Sequence, residues 1–238
     1  MSEQTYIGGE LELFARAQHW KAYWISQLRP YVRGAVLEVG AGIGANTLIL
    51  RGDAAGPWVC LEPDPVLVAR LKENLAGSPS GRDSEVRLGT IAALAPAEKF
   101  DTILYIDVLE HLEDDGEELD RAAAHLNAGG RIIALSPAHG WLFSEFDRSI
   151  GHHRRYTAAM LEALTPAELE VERAFYLDSV GLLASAANRF FLHQSLPNAR
   201  QIRVWDDFMV PCSRFIDPLS AHCLGKSVVC VWRRKIGL

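Results

Sequence analysis

Short β-branched runs that stop at Gly, Asp or Pro alternate along the chain with stretches whose apolar positions recur every three or four residues. The runs AVLEV (35–39), WVCL (58–61), EVRL (85–88), TILYI (102–106), RIIALS (131–136), LEVERAFYL (169–177) and SVVCVW (227–232) predict seven strands. Between the second and third, PVLVARLKENL places Val66, Leu67, Ala69, Leu71 and Leu75 on one face and charges on the other, as a helix lying on a sheet requires. Strand–helix alternation of this kind predicts a doubly wound α/β fold, mostly parallel, with ligands at the carboxyl ends of the strands.

Two segments fall outside that rhythm. Residues 1–33 read as a helical lead-in stopped by Pro30, with Trp20, Tyr23 and Trp24 clustered in it. It either packs those aromatics on the domain or covers a cofactor as a lid. The main domain is expected over 34–238, with a helical cap inserted at about 179–225, because that stretch is too long for a plain connection. Within it, LLASAANRFF reads as a packing helix, too short and too weakly basic for an interfacial one.

Composition narrows the class. An apolar content of 49% in 238 residues fills one sizeable core, and no repeat or low-complexity tract interrupts it. Thirty acids against 24 Lys plus Arg give a net charge of −6, which disfavours a broad nucleic-acid surface and leaves small anionic substrates open. The acids concentrate in EHLEDDGEELD (110–120), whereas DRSIGHHRRY (147–156) is locally basic. Cys60, Cys212, Cys223 and Cys230 form no C-x-x-C pair and no zinc spacing, so reduced, packed thiols and no metal are expected. Without a basic-then-apolar leader or a membrane-length apolar run, a cytoplasmic protein is the expectation.

The candidate chemistry begins at VLEVGAGIG (36–44). Its glycines let a strand turn sharply into a helix and let backbone N–H groups meet a ligand. Gly40, Gly42 and Ala45 satisfy a dinucleotide fingerprint. Glu38, however, is a liability beside a pyrophosphate and an asset beside the ammonium and sulfonium of S-adenosylmethionine. Glu62, at the end of the second strand, suits the ribose hydroxyls of either cofactor.

Together with LEPDP, FDTILYIDVLEHLEDD and LNAGGRIIALSPAH, the glycine loop resembles the class I S-adenosylmethionine-dependent methyltransferases, in particular the bacterial ubiquinone-biosynthesis-type group, over about residues 20–178. The resemblance implies an antiparallel last strand. It also implies that Glu38, Gly40, Gly42 and Gly44 hold the methionine end of the cofactor, Glu62 the ribose, Thr90 and Ile91 the adenine edge, and Ile106 with Asp107 the methionine or nucleoside from below. Thr90 stands where that family often has an acid.

Methyl transfer needs alignment more than a covalent residue, and a base only when the nucleophile starts protonated. The segment after the fifth strand is similar to the D-x-x-x-G-H-x-R-R-Y stretch of a subset of these enzymes. There His152 is a candidate base oriented by Asp147, Arg154 and Arg155 are candidate clamps for a carboxylate or phosphate, and Tyr156 is a third substrate contact. The same arginines alternatively pair with the 110–120 acids. His111 is divided between packing and facing donor or acceptor. The expected function is methyl transfer to an O or N atom of a small metabolite. An NAD-dependent oxidoreductase and a non-catalytic binding module on the same fold are the alternatives.

Overall fold

The computed structural model describes residues 16–52, 56–79, 81, 83–189 and 199–236. Seven strands are present: β1 (Val36–Val39), β2 (Trp58–Glu62), β3 (Ser84–Leu88), β4 (Phe100–Ile106), β5 (Leu126–Pro137), β6 (Leu169–Leu177) and β7 (Ser227–Arg234). They form one sheet in the order β3-β2-β1-β4-β5-β7-β6. Neighbours from β3 to β5 run parallel, and β7 is antiparallel to both β5 and β6. This is the expected Rossmann-like sheet with its antiparallel last strand. The chain leaves β1 towards β2 and later returns to pair β4 on its other edge, so the crevice at the end of β1 lies at the reversal of strand order, where open α/β sheets bind ligands.

Alternation along the central strands fills both faces. Leu104 and Ile106 of β4 join one core with Trp58, Ile133 and Val231, while Ile103 and Tyr105 join the other with Leu37, Ile132 and Trp232. Leu71 and Leu75 of α3 (Pro65–Ala76) close the first face, and Leu119, Ala122 and Ala123 of α4 (Asp115–Ala124) close the second. Pro65 opens α3 at its first position, and Asp64 caps it by accepting from the N–H groups of Val66 and Leu67.

The lead-in contributes α1 (Gln18–Leu28), followed by a 3-10 turn containing Pro30, and the short α2 (Thr47–Arg51) follows the glycine loop. Residues 1–15 of the predicted lead-in lie outside the described residues. The insertion is helical as expected, with α7 (Ser179–Ala187), α8 (Ala199–Val204), a π turn at Trp205–Met209 and α9 (Val210–Leu219). Its residues 190–198, which include the end of LLASAANRFF, lie outside the described residues. Lead-in and insertion lock together. Asp206 accepts the backbone N–H groups of His19 and Trp20 at 3.2 and 2.8 Å, satisfying donors that a helix start leaves unpaired, and Tyr23 donates to Asp217 at 2.7 Å.

The largest boundary difference from the sequence reading is at β5. β5 begins at Leu126 rather than at residue 131, because Leu126 already pairs with Phe100, ahead of an irregularity that includes Gly129 at φ +70°. No helix follows Asp107 directly. A 3-10 turn (Leu109–His111) intervenes, and α4 starts only at Asp115, where Asp115, Glu117 and Glu118 favour a helix N-terminus. Cys60 and Cys230 are buried, Cys212 and Cys223 exposed, and all four are free thiols. Among the described residues no helix is long and apolar enough to cross a membrane.

Candidate active site

The glycine loop is built around Glu62. Its two carboxylate oxygens accept from Gly42 N–H at 2.8 Å and from Asp64 N–H at 3.0 Å, and each keeps a lone pair for a further donor. Gly40 and Gly42 have φ of +67° and +57°, and a Cβ on Gly40 would lie 2.7 Å from Val108 Cγ2. Gly44 has a different task. Its missing side chain admits Leu71 Cδ1 of α3, so that glycine lets the loop pack on the helix below.

A cavity of about 150 Å³ sits on this loop, bordered by Gly40, Gly42, Asn46, Ile106, Asp107 and the face of α1 that carries Trp20, Lys21 and Trp24. That is below the roughly 300–1,000 Å³ of usual ligand pockets, because α1 lies across it. Glu38 sits beneath the cavity and is fully enclosed. It accepts the Trp58 indole N–H at 3.0 Å. Burial outweighs its hydrogen bonds from Thr47 and Trp58 and the charge of Lys21, and pushes its pKa up to about 7.

Lys21 was not foreseen. It is 6% exposed, and burial lowers its pKa to about 8 against the pull of Asp107 and Glu38. The signal was present in the helix period: Lys21 lies on the buried stripe with Ile25 and Leu28, where a charge needs a reason.

Asp107 faces open cleft space although protein surrounds it, and burial raises its pKa to about 6 against His152, Lys226 and Lys21. Its φ of +55° is unusual for a residue other than glycine, and its N–H is fixed to Leu135 O at 2.8 Å. His139 and Asp178, just past β5 and β6, also have positive φ, +66° and +70°. Backbone strain thus gathers at the carboxyl edge of three strands.

The 147–156 segment returns to this edge. Asp147, 1% exposed, accepts from Ser144 N–H and Oγ, from His152 Nδ1 at 3.1 Å and from Arg155 Nε and Nη2 at 2.8 and 2.9 Å. Burial alone would raise its pKa, but the His152, Arg155 and Ser144 contacts outweigh it and hold the carboxyl well below its usual range. Arg154 pairs with Asp115 at 2.8 Å, and buried Tyr156 donates to Asp115 at 2.6 Å. His111 opens to the cleft with its ring edge-on to His152, 4.5 Å between centroids, and burial followed by the His152 charge lowers its pKa to about 4. Burial, then the charge of Asp107, pushes the Glu110 carboxyl well above the usual carboxylate range, and among the described residues its buried oxygens find no hydrogen-bond partner.

Glu110, His111 and His152 bring ligand atoms within 4.8 Å of one another, a grouping compatible with a cation that motif spacing did not reveal because His152 arrives on a distant loop. Of the expected adenine contacts, Thr90 is exposed at the edge of the sheet, and the Ile91 side chain is buried in the core beneath it.

Residues 37–132 match the family model described as methyltransferase domain. Over 112 residues the chain is 32% identical to a ubiquinone biosynthesis O-methyltransferase of Paracidovorax citrulli, covering 46% of each chain. Over 121 residues it is 28% identical to a tRNA U34 carboxymethyltransferase of Shewanella denitrificans, covering 48% of this chain and 36% of that one. The aligned part therefore spans about half or less of the curated relatives it matches. In fold the chain is similar to coclaurine N-methyltransferase bound to N-methylheliamine and S-adenosylhomocysteine, with a TM-score of 0.62 at 14% identity, covering 90% of this chain and 72% of that one. Residues 37–132 are thus similar to a methyltransferase domain, and the sheet shares its fold with an N-methyltransferase that binds S-adenosylhomocysteine.

Proposed function

We propose that this protein transfers the methyl group of S-adenosylmethionine to an O or N atom of a small acceptor in the cytoplasm. The observation that carries the reading is Glu62, whose carboxylate gathers the glycine loop and the start of α3 into one cradle while keeping acceptor capacity towards the cavity edge. A pyrophosphate has no use for two further acids, Asp107 at the cavity and Glu38 buried in β1 just before the glycine loop, whereas a cationic ligand does.

S-adenosylmethionine, when bound, supplies a methyl group already activated on a sulfonium. The remaining work belongs to the chain. Gly40 lets the backbone approach the methionine end, Gly42 is held in the loop by its N–H to Glu62, and Gly44 sets the path of the loop. Glu38 and Asp107 supply negative potential for the ammonium and sulfonium. Lys21 supplies a partner for the carboxylate. Glu62 takes the ribose hydroxyls, Ile106 the underside, and Thr90 with the Ile91 backbone the adenine edge. α1 acts as the lid on 34–238, which agrees with its place across the cavity.

On the acceptor side, His111 is neutral near pH 7 and opens to the cleft. His152 is held through Nδ1 by Asp147, and its Nε2, 3.9 Å from Glu110 Oε1, is the site offered to a proton from an acceptor that starts protonated. Arg155 adds positive potential there, while Arg154 and Tyr156 hold the loop through Asp115.

The test is calorimetry with S-adenosylhomocysteine. Binding is expected, and Glu62→Ala should weaken it about 10- to 100-fold, the worth of hydrogen bonds to a charged group. Failure of the wild type to bind, or binding of NADH in its place, overturns the reading. Incubation of the protein with labelled donor and separate RNA and small-molecule extract fractions then reads out the acceptor class, and label confined to RNA overturns the small-acceptor part.

A further inference from the structure

We infer that the acceptor carries an anionic group, a carboxylate or phosphate, and that Lys226 binds it against the indole wall of Trp205. The inference rests on the methyltransfer reading and adds to it a residue and a substrate class.

Lys226 stands immediately before β7. Because β7 runs antiparallel, its beginning lies at the carboxyl edge of the parallel strands, beside the donor cavity rather than at the far end of the sheet. The backbone there is fixed from both sides. Lys226 N–H donates to Asp178 O at 3.1 Å, its carbonyl accepts from Ala138 N–H at 2.8 Å, and the neighbouring Gly225 carbonyl meets the His139 ring at 3.0 Å. Two of these partners, His139 and Asp178, are the strained residues past β5 and β6. Lys226 is therefore placed by the same strained edge that places Asp107.

Its side chain is half-buried, and the ammonium lies 4.0 Å over the Trp205 ring. Among the described residues the Nζ has no hydrogen-bond acceptor and no ion-pair partner. The nearby acids do not fill that gap. Asp178 accepts from Gly181 N–H, Ser213 Oγ and Trp205 Nε1 instead. Asp107 acts on Lys226 through space, without an ion pair, and acts likewise on Lys21 and His152. A lysine ammonium held at a fixed point, partly desolvated and unpaired except for a π face, is half of an ion pair. Among the described residues no group supplies the other half, and an anionic ligand would.

Three arrangements say where. Trp205 also packs on Trp20, 5.7 Å between centroids, and Trp20 borders the donor cavity, so two packed indoles link the donor cavity to Lys226. Asp107 borders the donor cavity together with Lys21 and also feels the charges of Lys226 and His152, neither of which borders that cavity. Arg155 acts electrostatically on both Lys226 and His139 while its own Nε and Nη2 are committed to Asp147. The second side of the cleft is thus positive and partly aromatic, and among the described residues Lys226 brings an ammonium without an ion-pair partner there. A planar acceptor with an anionic substituent would lay its ring along Trp205, its anion on Lys226 and its nucleophile towards Asp107.

The probes are benzoate and phenyl phosphate, with benzamide as the neutral isostere, titrated by tryptophan fluorescence and calorimetry into protein saturated with S-adenosylhomocysteine in chloride-free buffer. At least one anion should bind more tightly than benzamide, Lys226→Met should weaken it about tenfold or more, and Lys226→Arg should retain most of it. The ratio of benzoate to phenyl phosphate affinity assigns the carboxylate or the phosphate. Affinity for S-adenosylhomocysteine should stay within about threefold in both variants, which also reports that they are folded. If S-adenosylhomocysteine binds but neither anion exceeds benzamide, or Lys226→Met leaves anion affinity unchanged, the inference fails while the donor reading stands. If S-adenosylhomocysteine does not bind the wild type, both fail. Should Lys226→Met not fold, Lys226→Gln takes its place under the same criteria.

Discussion

Glu38 Oε2 accepts the indole N–H of Trp58 at 3.0 Å, a bond from β1 to β2 directly beneath the glycine loop. Neighbouring strands place the two residues there, and the bond leaves the carboxyl buried with its pKa raised to about 7. An acid whose pKa is higher folded than unfolded holds its proton longer in the native state. Native stability therefore falls as pH rises from about 4.5 to about 7, and stays lower above that. Glu38→Gln keeps an acceptor for Trp58 and removes the ionisation. It should match the wild type near pH 4.5 and exceed it at pH 8 by on the order of 2 kcal/mol in urea unfolding. Affinity for S-adenosylhomocysteine should fall at the same time, the usual trade at a functional site. A stability difference that does not grow with pH would count against this account.

The parts of this arrangement differ in how far the sequence shows them. The strands were visible because each is a short β-branched run closed by a turn former, and LEVERAFYL spans β6 residue for residue. Glu38, Glu62 and Asp107 were visible because each is an acid set at the carboxyl end of such a run. Lys226 and Trp205 were not. Their meaning lies in a contact between the start of β7 and a π turn of the insertion, and no local period encodes it. The same holds for Asp206 and Asp217, which look like surface acids in the insertion and are buried acceptors for the lead-in helix. The start of β5 is hidden for a different reason: Leu126 already pairs with Phe100, but an irregularity that includes Gly129 at φ +70° separates it from the β-branched run at 131.

Asp147 gathers Ser144, His152 and Arg155 around one carboxylate. Its depressed pKa means that the stabilisation is present above the ordinary aspartate range and is lost as pH falls towards the folded value. Asp147→Asn keeps the size of the side chain, loses the charge, and leaves Arg155 and His152 without their anion. We expect a loss of about 1.5–3 kcal/mol at pH 7, and a gap to the wild type that narrows as pH falls below about 4. Limited proteolysis at pH 7 should cut the variant first within residues 144–156. Equal stability at pH 7 would show that the network contributes order without free energy.

Gly40 and Gly44 look interchangeable in the sequence, and the structure separates them. Both have positive φ, +67° and +80°, so alanine is strained at either, by about 1–2 kcal/mol. The added methyl would meet different things. At Gly40 it would lie 2.7 Å from Val108 Cγ2, in the wall of the donor cavity, while at Gly44 it would press on the flexible end of Leu71, 2.6 Å away and outside that wall. Gly40→Ala should therefore lower both stability and affinity for S-adenosylhomocysteine, the latter by more than about tenfold, as a misplaced backbone at a binding loop does. Adding Val108→Ala removes the clash but not the strain, so the double variant should regain only part of the stability. Gly44→Ala should lose a similar amount of stability with affinity nearly intact once measured on the folded fraction. If the two alanines cost the same affinity at equal stability, all three glycines serve the ligand directly, and the packing role assigned to Gly44 is wrong.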